Sequence, residues 1–268
     1  MALKALLLDI GGTLHVGQVW LPGAQQALRD AERRGLALRM VSNLTQFSRR
    51  QVGEWFRDSG FEVPPGHIFT AASAAGAWFA ARAKAGAKPR VLALCRPELA
   101  EDLAPFCELV EAGPAECVLV ADMGSQHTLA RLDEALRALL AGASLVGMER
   151  NRFYRLADGY HLDSGPFLAA LEFAAGKPAL AVFGKPNPEL FRLALASAGA
   201  EPGEALMVGD DLECDVLLPR RLGLATALVK TGKFLPEWES RARLEGVPVL
   251  GSVADLPALL DSMGVARG

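Results

Sequence analysis

The chain has no excess of basic residues: 28 Lys plus Arg stand against 31 Asp plus Glu, for a formal net charge of -3. A phosphate backbone is gripped by clustered positive charge, so nucleic acid is not an expected partner. Cysteine is scarce. Cys95, Cys107, Cys117 and Cys214 contain no C-x-x-C pair, which argues against a disulfide framework and predicts reduced, mostly buried thiols. No apolar run approaches the roughly 18 residues of a membrane-spanning helix. The opening MALKALLLDI begins like a signal peptide, with a Lys and a short apolar run, but Asp9 and two glycines end that run, and a buried strand is expected there. The carboxyl end carries no recognisable anchor or address, and no repeat of fixed period appears. A cytoplasmic protein without membrane contact is the expectation.

What the chain does have is apolar residues in quantity. With 51% of 268 residues in the hydrophobic class it can bury one large core or two ordinary ones, and two are expected. Short Leu/Val/Ala-rich runs alternate with stretches of helical periodicity, the pattern of parallel strands covered on both faces by crossover helices. Lys4 to Ile10 reads as a strand, Ala24 to Arg34 as a helix closed by Gly35, Leu36 to Ser42 as a strand and Ser48 to Ser59 as a helix closed by Gly60. Late in the chain Ala179 to Phe183, Ala205 to Val208 and Leu224 to Val229 read as strands of the same sheet, with a helix from Pro188 to Ala198 closed by Gly199. Between them Val91 to Leu94, Cys117 to Ala121 and Ser144 to Gly147 are strand-like, and Phe153 to Leu162 reads as a hairpin around Asp158-Gly159. This middle block is expected to be an inserted domain, entered near Ala71 to Ala85 and left near Gly176 to Ala179.

Four short segments follow predicted strands, where open α/β sheets place their ligands. Asp9-Ile10-Gly11-Gly12-Thr13 offers a carboxylate and two glycines that let backbone amides approach an anion; taken singly it fits a turn-capping Asp equally well. Ser42-Asn43 offers a hydroxyl and free amides, or simply a polar turn. Lys185, in Gly184-Lys185-Pro186-Asn187-Pro188, offers one positive charge that the flanking Gly and Pro residues would hold in place. Asp210, Asp211 and Asp215 crowd three carboxylates into six residues. They repel one another unless a cation intervenes, and hard oxygen ligands suit Mg²⁺; a helix macrodipole accounts for one or two of them.

Taken together and in this order, the four segments resemble the haloacid dehalogenase superfamily. The stretches VSN, GKPNPELF and MVGDDLECD, with about a hundred residues inserted between the second and third motifs, resemble its type II-capped NagD-like branch, as does the cap segment FYRLADGYHLDSGPFLAALEFA. The resemblance implies a Rossmann-like three-layer α/β/α core, residues 1–78 and 180–268, with an inserted α/β cap domain, residues 79–179, and an active site in the cleft. It implies a phosphohydrolase in which Asp9 attacks phosphorus to form an aspartyl-phosphate. Mg²⁺ would be held by Asp9, the carbonyl of Gly11 and Asp210, with support from Asp211 and Asp215. Gly11, Gly12, Ser42, Asn43 and Lys185 would bind the phosphoryl group. The substrate would be a phosphorylated small molecule or phosphoprotein, and the branch allows a homodimer formed through the cap.

One position departs from the family pattern. The first motif is ordinarily D-x-D, its second Asp protonating the leaving oxygen and later deprotonating water; here Gly11 stands in that place. Such assistance is worth about 10²–10⁴ in rate. Substrates whose leaving group departs without a proton lose least, which points to phosphoramidates, pyrophosphate, acyl phosphates and aryl phosphates. His15 is a second candidate acid, although a His after apolar Leu14 is commonly just packed. Two other readings stand beside this one: a phosphate- or phosphoprotein-binding module that turns over weakly, against which Asp9 and Lys185 count, and a dehalogenase, against which the carboxylates around Asp210 count. In the cap, Ser164, Gly165 and Pro166 start a helix and are the expected specificity element. His127 and His161 are expected at the surface or facing substrate, and Trp55, Phe56, Trp78 and Phe79 as packing.

Overall fold

A computed structural model describes residues 2–17, 19–83, 86–156 and 159–266. Its strands are, in chain order, β1 Ala5–Leu8, β2 His15–Val16, β3 Val19–Trp20, β4 Ala37–Ser42, β5 Ile68–Thr70, β6 Arg90–Leu94, β7 Glu108–Val110, β8 Cys117–Val120, β9 Ser144–Gly147, β10 Phe153–Leu156, β11 Gly159–Leu162, β12 Ala181–Val182, β13 Ala205–Gly209, β14 Ala225–Val229 and β15 Val249–Leu250. The chain forms two compact units, one of Met1–Ser42, Gly53–Phe69 and Pro188–Gly268, the other of Asn43–Val52 and Thr70–Asn187.

The first unit is built on a six-stranded sheet in the order β15-β14-β13-β1-β4-β5, with parallel registers from β15 through β4. Every residue of β1 and β13 is buried. That is why these strands read as unbroken apolar runs rather than alternating ones: helices cover both faces of the sheet. The helix Pro188–Ala198 turns Leu190, Phe191, Ala194 and Leu195, one face at helical spacing, onto Ala5 and Leu7 of β1, Val41 of β4 and Met207 of β13. The helix Ala24–Arg33 buries Ala24, Ala27, Leu28 and Ala31 and lies against β4. Gly35 follows it at φ 76°, a left-handed conformation that favours glycine.

The second unit has its own parallel sheet, β12-β9-β8-β6-β7. Helices Leu129–Leu140 and Ser164–Ala175 contribute Ala135, Leu139, Leu168 and Leu171 to a core with Leu92, Leu94, Val118, Val120 and Leu145. The expected hairpin is present as β10 and β11, antiparallel from Phe153–Leu162 to Leu156–Gly159; Asp158 of its expected turn lies outside the described residues.

One strand is in a different sheet from the one expected. The pattern places the run Ala179 to Phe183 in the same sheet as Lys4 to Ile10, but only Ala181 and Val182 are strand and they pair with Val146 and Gly147 of β9 in the second unit. Leu180 is exposed, and both strand residues are only half-buried. A short apolar run does not say which sheet takes it; here the helix Ser164–Ala175 and Gly176 at φ 66° return the chain alongside β9. The second unit is also wider than 79–179. Its early segment is tied in by Asp102, which accepts from the Arg49 amide at 2.9 Å and Nε at 3.2 Å, and by the Arg50–Glu101 ion pair.

Among the described residues no helix is long and apolar enough to cross a membrane. All four cysteines are free thiols. Burial pushes Cys95 up to about 12 and Cys107 and Cys117 to about 11, so these three stay protonated and unreactive at neutral pH.

Candidate active site

Asp9 leaves the sheet just after β1, and Asp210 just after β13. These strands are parallel neighbours in register from Ala5–Ala205 to Leu8–Val208, so both carboxylates emerge at one end of the sheet. The Asp9 amide extends the ladder by donating to the Val208 carbonyl at 2.9 Å. Ser42 ends β4, on the other side of β1, and is buried. Strand order thus places Asp9 between the Asp210 and Ser42 ends, at the carboxyl edge where ligands of such sheets bind. Asp215 returns to this edge from the helical stretch Leu212–Leu217, and Asp9, Asp210 and Asp215, all buried, offer oxygens within 4.8 Å of one another.

Glycines make the cluster sterically feasible. A Cβ on Gly209 would stand 2.3 Å from the Asp215 carboxylate, one on Gly12 2.1 Å from Asp210 Oδ2, and one on Gly232 2.0 Å from that same oxygen. Gly12 and Gly232 are left-handed as well, at φ 80° and 60°. Gly11 is different: a Cβ there meets nothing within 4 Å, so the missing carboxylate of the first motif is not excluded by space.

Electrostatically the cluster is overcharged. Burial pushes the Asp210 carboxyl well above its ordinary value, the charges of Asp9 and Asp215 push the same way, and the Lys233 amide and charge oppose them. Three buried carboxylates facing one another with this strain fit a divalent cation, whose hard charge the oxygens of Asp9, Asp210 and Asp215 would share. Asp211 stands apart from the three. Its Oδ1 accepts from the amides of Glu213 at 3.0 Å and Cys214 at 2.9 Å, capping the stretch that carries Asp215, and its own amide donates to Asp215 Oδ2 at 3.2 Å.

The segment Thr231-Gly232-Lys233 was not anticipated. The Lys233 amide donates to Asp210 Oδ2 at 2.6 Å and the Thr231 hydroxyl to the Gly12 carbonyl at 2.5 Å. A signal existed: K-T-G-K directly follows the strand read over Leu224 to Val229, the same strand-then-glycine pattern that marked the other segments.

Within the second unit, Asn43 and Lys185 are paired. The Asn43 carboxamide accepts from the Lys185 amide at 2.6 Å and donates to the Lys185 carbonyl at 2.9 Å, fixing the backbone of a lysine whose side chain is buried. Gly184 is required there, since a Cβ would lie 2.8 Å from Asn43 Oδ1 and 2.6 Å from the Met148 carbonyl. Ser164 opens its helix with its hydroxyl 3.2 Å from buried Glu149, which also takes the Asn151 amide group. The Gly165 amide donates to the Asn151 carbonyl at 3.1 Å, and a Cβ on Gly165 would stand 2.4 Å from that oxygen. Pro166 is half-buried in the same first turn.

Four aromatics are packing residues, as expected. Trp55 stacks on Trp20 and meets Phe56 edge-on, while Trp78 and Phe79 pack on Phe183. His127 is half-buried: its ring stacks on Phe167 at 3.8 Å and its Nε2 accepts from the Met123 amide at 3.0 Å. His15 lies against Trp55 with Nδ1 buried and without a hydrogen-bond partner. Burial lowers its pKa, opposed by a Gly17 backbone bond and the Asp9 charge. A neutral imidazole is a weak proton donor, so His15 is a poor replacement for the missing acid.

Residues 6–106 match the family model described as haloacid dehalogenase-like hydrolase, and residues 182–256 match a second described as HAD-hydrolase-like. Haloacid dehalogenase-like hydrolase domain-containing protein 2 of Homo sapiens is 35% identical over 87% of this chain and 86% of its own length. The chain belongs to the haloacid dehalogenase-like hydrolase family. Phospholysine phosphohistidine inorganic pyrophosphate phosphatase of Bos taurus is 31% identical over 96% of this chain and 94% of its own. The solved p-nitrophenyl phosphatase from Archaeoglobus fulgidus superposes with a TM-score of 0.85 at 26% identity, covering 97% of this chain and all of that one. This haloacid dehalogenase-like hydrolase is therefore a phosphatase, and the resemblance seen in its motifs extends along nearly the whole chain.

Proposed function

We propose that this phosphatase is Mg²⁺-dependent, works through an aspartyl-phosphate on Asp9, and acts on phosphate compounds whose leaving groups depart without a proton. The observation that carries the substrate reading is Gly11, where the expected acid is missing although the space for it is open. Asp9 forms a bond to phosphorus as the bond to the leaving nitrogen or oxygen breaks; water then takes the phosphoryl group and Asp9 is restored. Asp9, the Gly11 carbonyl and Asp210, supported by Asp215, would hold the cation, which would supply positive charge to the phosphoryl oxygens. Asp211 supports it indirectly by orienting Asp215. Gly12, Ser42, the Asn43 amide and Lys185 hold the phosphoryl group, Lys185 with its backbone locked by Asn43. The second unit acts as the cap that selects substrate, and Ser164, Gly165 and Pro166, tied to Glu149 and Asn151, are its fixed specificity element.

Phosphoramidates, pyrophosphate, acyl phosphates and aryl phosphates are the favoured class, borne by a small molecule or a protein. The names of the Bos taurus and Archaeoglobus fulgidus relatives, which include phospholysine, phosphohistidine, pyrophosphate and p-nitrophenyl phosphate, support this class. Reduced thiols support a cytoplasmic setting.

The test is kcat/KM along a series from an alkyl phosphate through p-nitrophenyl phosphate and pyrophosphate to a phosphoramidate, with Mg²⁺ and with EDTA. A steep rise toward the better leaving groups, lost in EDTA, is expected. Equal rates on alkyl and activated phosphates would show that another group supplies the proton. No turnover above an Asp9→Asn control would favour a binding module instead.

A further inference from the structure

The Thr231–Lys233 segment packs directly against the Asp210 carboxylate. Asp210 Oδ2 accepts from the Lys233 amide at 2.6 Å. The backbone of Gly232 and Gly12 stands so close that a Cβ on either would come within 2.1 Å of this oxygen. The Thr231 hydroxyl holds the opposing wall in place through the Gly12 carbonyl, 2.5 Å away. Asp210 Oδ2 is therefore occupied by a donor and crowded by backbone from both Gly12 and Gly232.

We propose that this loop makes Asp210 a one-oxygen ligand and thereby selects Mg²⁺ over Ca²⁺. The inference rests on the divalent-metal reading of the Asp9, Asp210 and Asp215 cluster. Mg²⁺ keeps to six ligands in near-ideal octahedral geometry and gains nothing from a second oxygen of the same carboxylate, whereas Ca²⁺ takes six to eight and readily accepts a carboxylate through both. Withholding Oδ2 costs Mg²⁺ nothing and denies Ca²⁺ a ligand. Gly232 and Lys233 are positioning residues in this scheme, acting through Asp210.

Calorimetric titration of Mg²⁺ and of Ca²⁺ into the wild-type protein, Gly232→Ala and Thr231→Val, with folding checked by circular dichroism, tests it without reference to turnover. The wild type is expected to bind Mg²⁺ more tightly than Ca²⁺. Gly232→Ala displaces the loop from Oδ2, and Mg²⁺ affinity is expected to fall by about 10–100-fold, as when the groups orienting a metal ligand are lost, while Ca²⁺, gaining the second oxygen, holds its affinity. Thr231→Val, which removes a single hydroxyl bond and leaves the glycine conformation intact, should move the ratio the same way by less, and it carries the test if Gly232→Ala does not fold. Equal weakening of both ions would reduce the loop to a structural support and overturn the inference. Binding of neither ion by the wild type would overturn the metal reading itself.

Discussion

Gly11→Asp is expected to raise kcat/KM for an alkyl phosphate by about 10²-fold or more, the lower end of what a positioned acid–base group supplies. It should change p-nitrophenyl phosphate hydrolysis far less. The site allows the substitution: a Cβ at Gly11 meets nothing within 4 Å, and the residue is not in the left-handed region that would strain an Asp. The added carboxyl would protonate the oxygen leaving as the Asp9–phosphorus bond forms, which an alkoxide needs and a nitrophenolate does not. Steady-state rates of both enzymes on the two substrates decide the matter. If a folded Gly11→Asp protein remains as slow on the alkyl phosphate as the wild type, the leaving-group preference has some other origin than the missing acid.

The second large effect concerns Asp210. Without a cation, three carboxylates are buried against one another, and Asp210 resists ionisation because of burial first and of Asp9 and Asp215 second. The sign follows: a carboxyl whose folded pKa lies above its unfolded value withdraws stability as pH rises through the unfolded value and beyond, so at neutral pH the metal-free protein is destabilised by this group. Asp210→Asn removes the charge at almost constant shape. In EDTA at neutral pH it is expected to melt higher than the wild type, by about 2–4 °C if the relief is near 1 kcal/mol in a chain of this size, while its turnover falls to that of Asp9→Asn. Near pH 4 the stability gain should shrink, because the wild-type carboxyl is then protonated. Mg²⁺ at about a hundred times its dissociation constant should stabilise the wild type by roughly 2.7 kcal/mol and the variant much less. Thermal melts of both proteins with EDTA and with Mg²⁺ measure all of this. A variant that melts lower than the wild type in EDTA would mean that the Asp210 charge is satisfied without a metal.

Much of this site is legible in the sequence. Asp9 and Asp210 each follow a buried apolar strand, and Ser42 ends one interrupted only by Arg39; such runs announce themselves by composition and by the polar residue that stops them. The close set of Asp210, Asp211 and Asp215 was legible too, but not its division of labour. Which carboxylate joins Asp9 and which caps the next helical stretch depends on backbone direction after β13, and that is set by the fit of Asp215 over Gly209. Thr231, Gly232 and Lys233 were passed over because what matters there is a backbone amide and an absent side chain, and neither has a residue type that signals metal chemistry. The run Ala179 to Phe183 was placed in the wrong sheet for a related reason: a short apolar segment records burial, and its pairing partner is chosen by the crossover that precedes it. The stacking of His127 on Phe167 is not legible in the sequence, because the two lie 40 residues apart and no local pattern connects them.

The most direct measurement is an acid-quenched single turnover of p-nitrophenyl phosphate with enzyme in excess, followed by peptide mass spectrometry. With Gly11 unable to deprotonate the attacking water, breakdown of the phosphoenzyme should be slower than its formation, so a phosphoryl group is expected to accumulate on the peptide containing Asp9 and to be absent from Asp9→Asn. Release of p-nitrophenolate and phosphate together, with no phosphoryl group on Asp9 at any time through the turnover, would contradict nucleophilic catalysis by this residue.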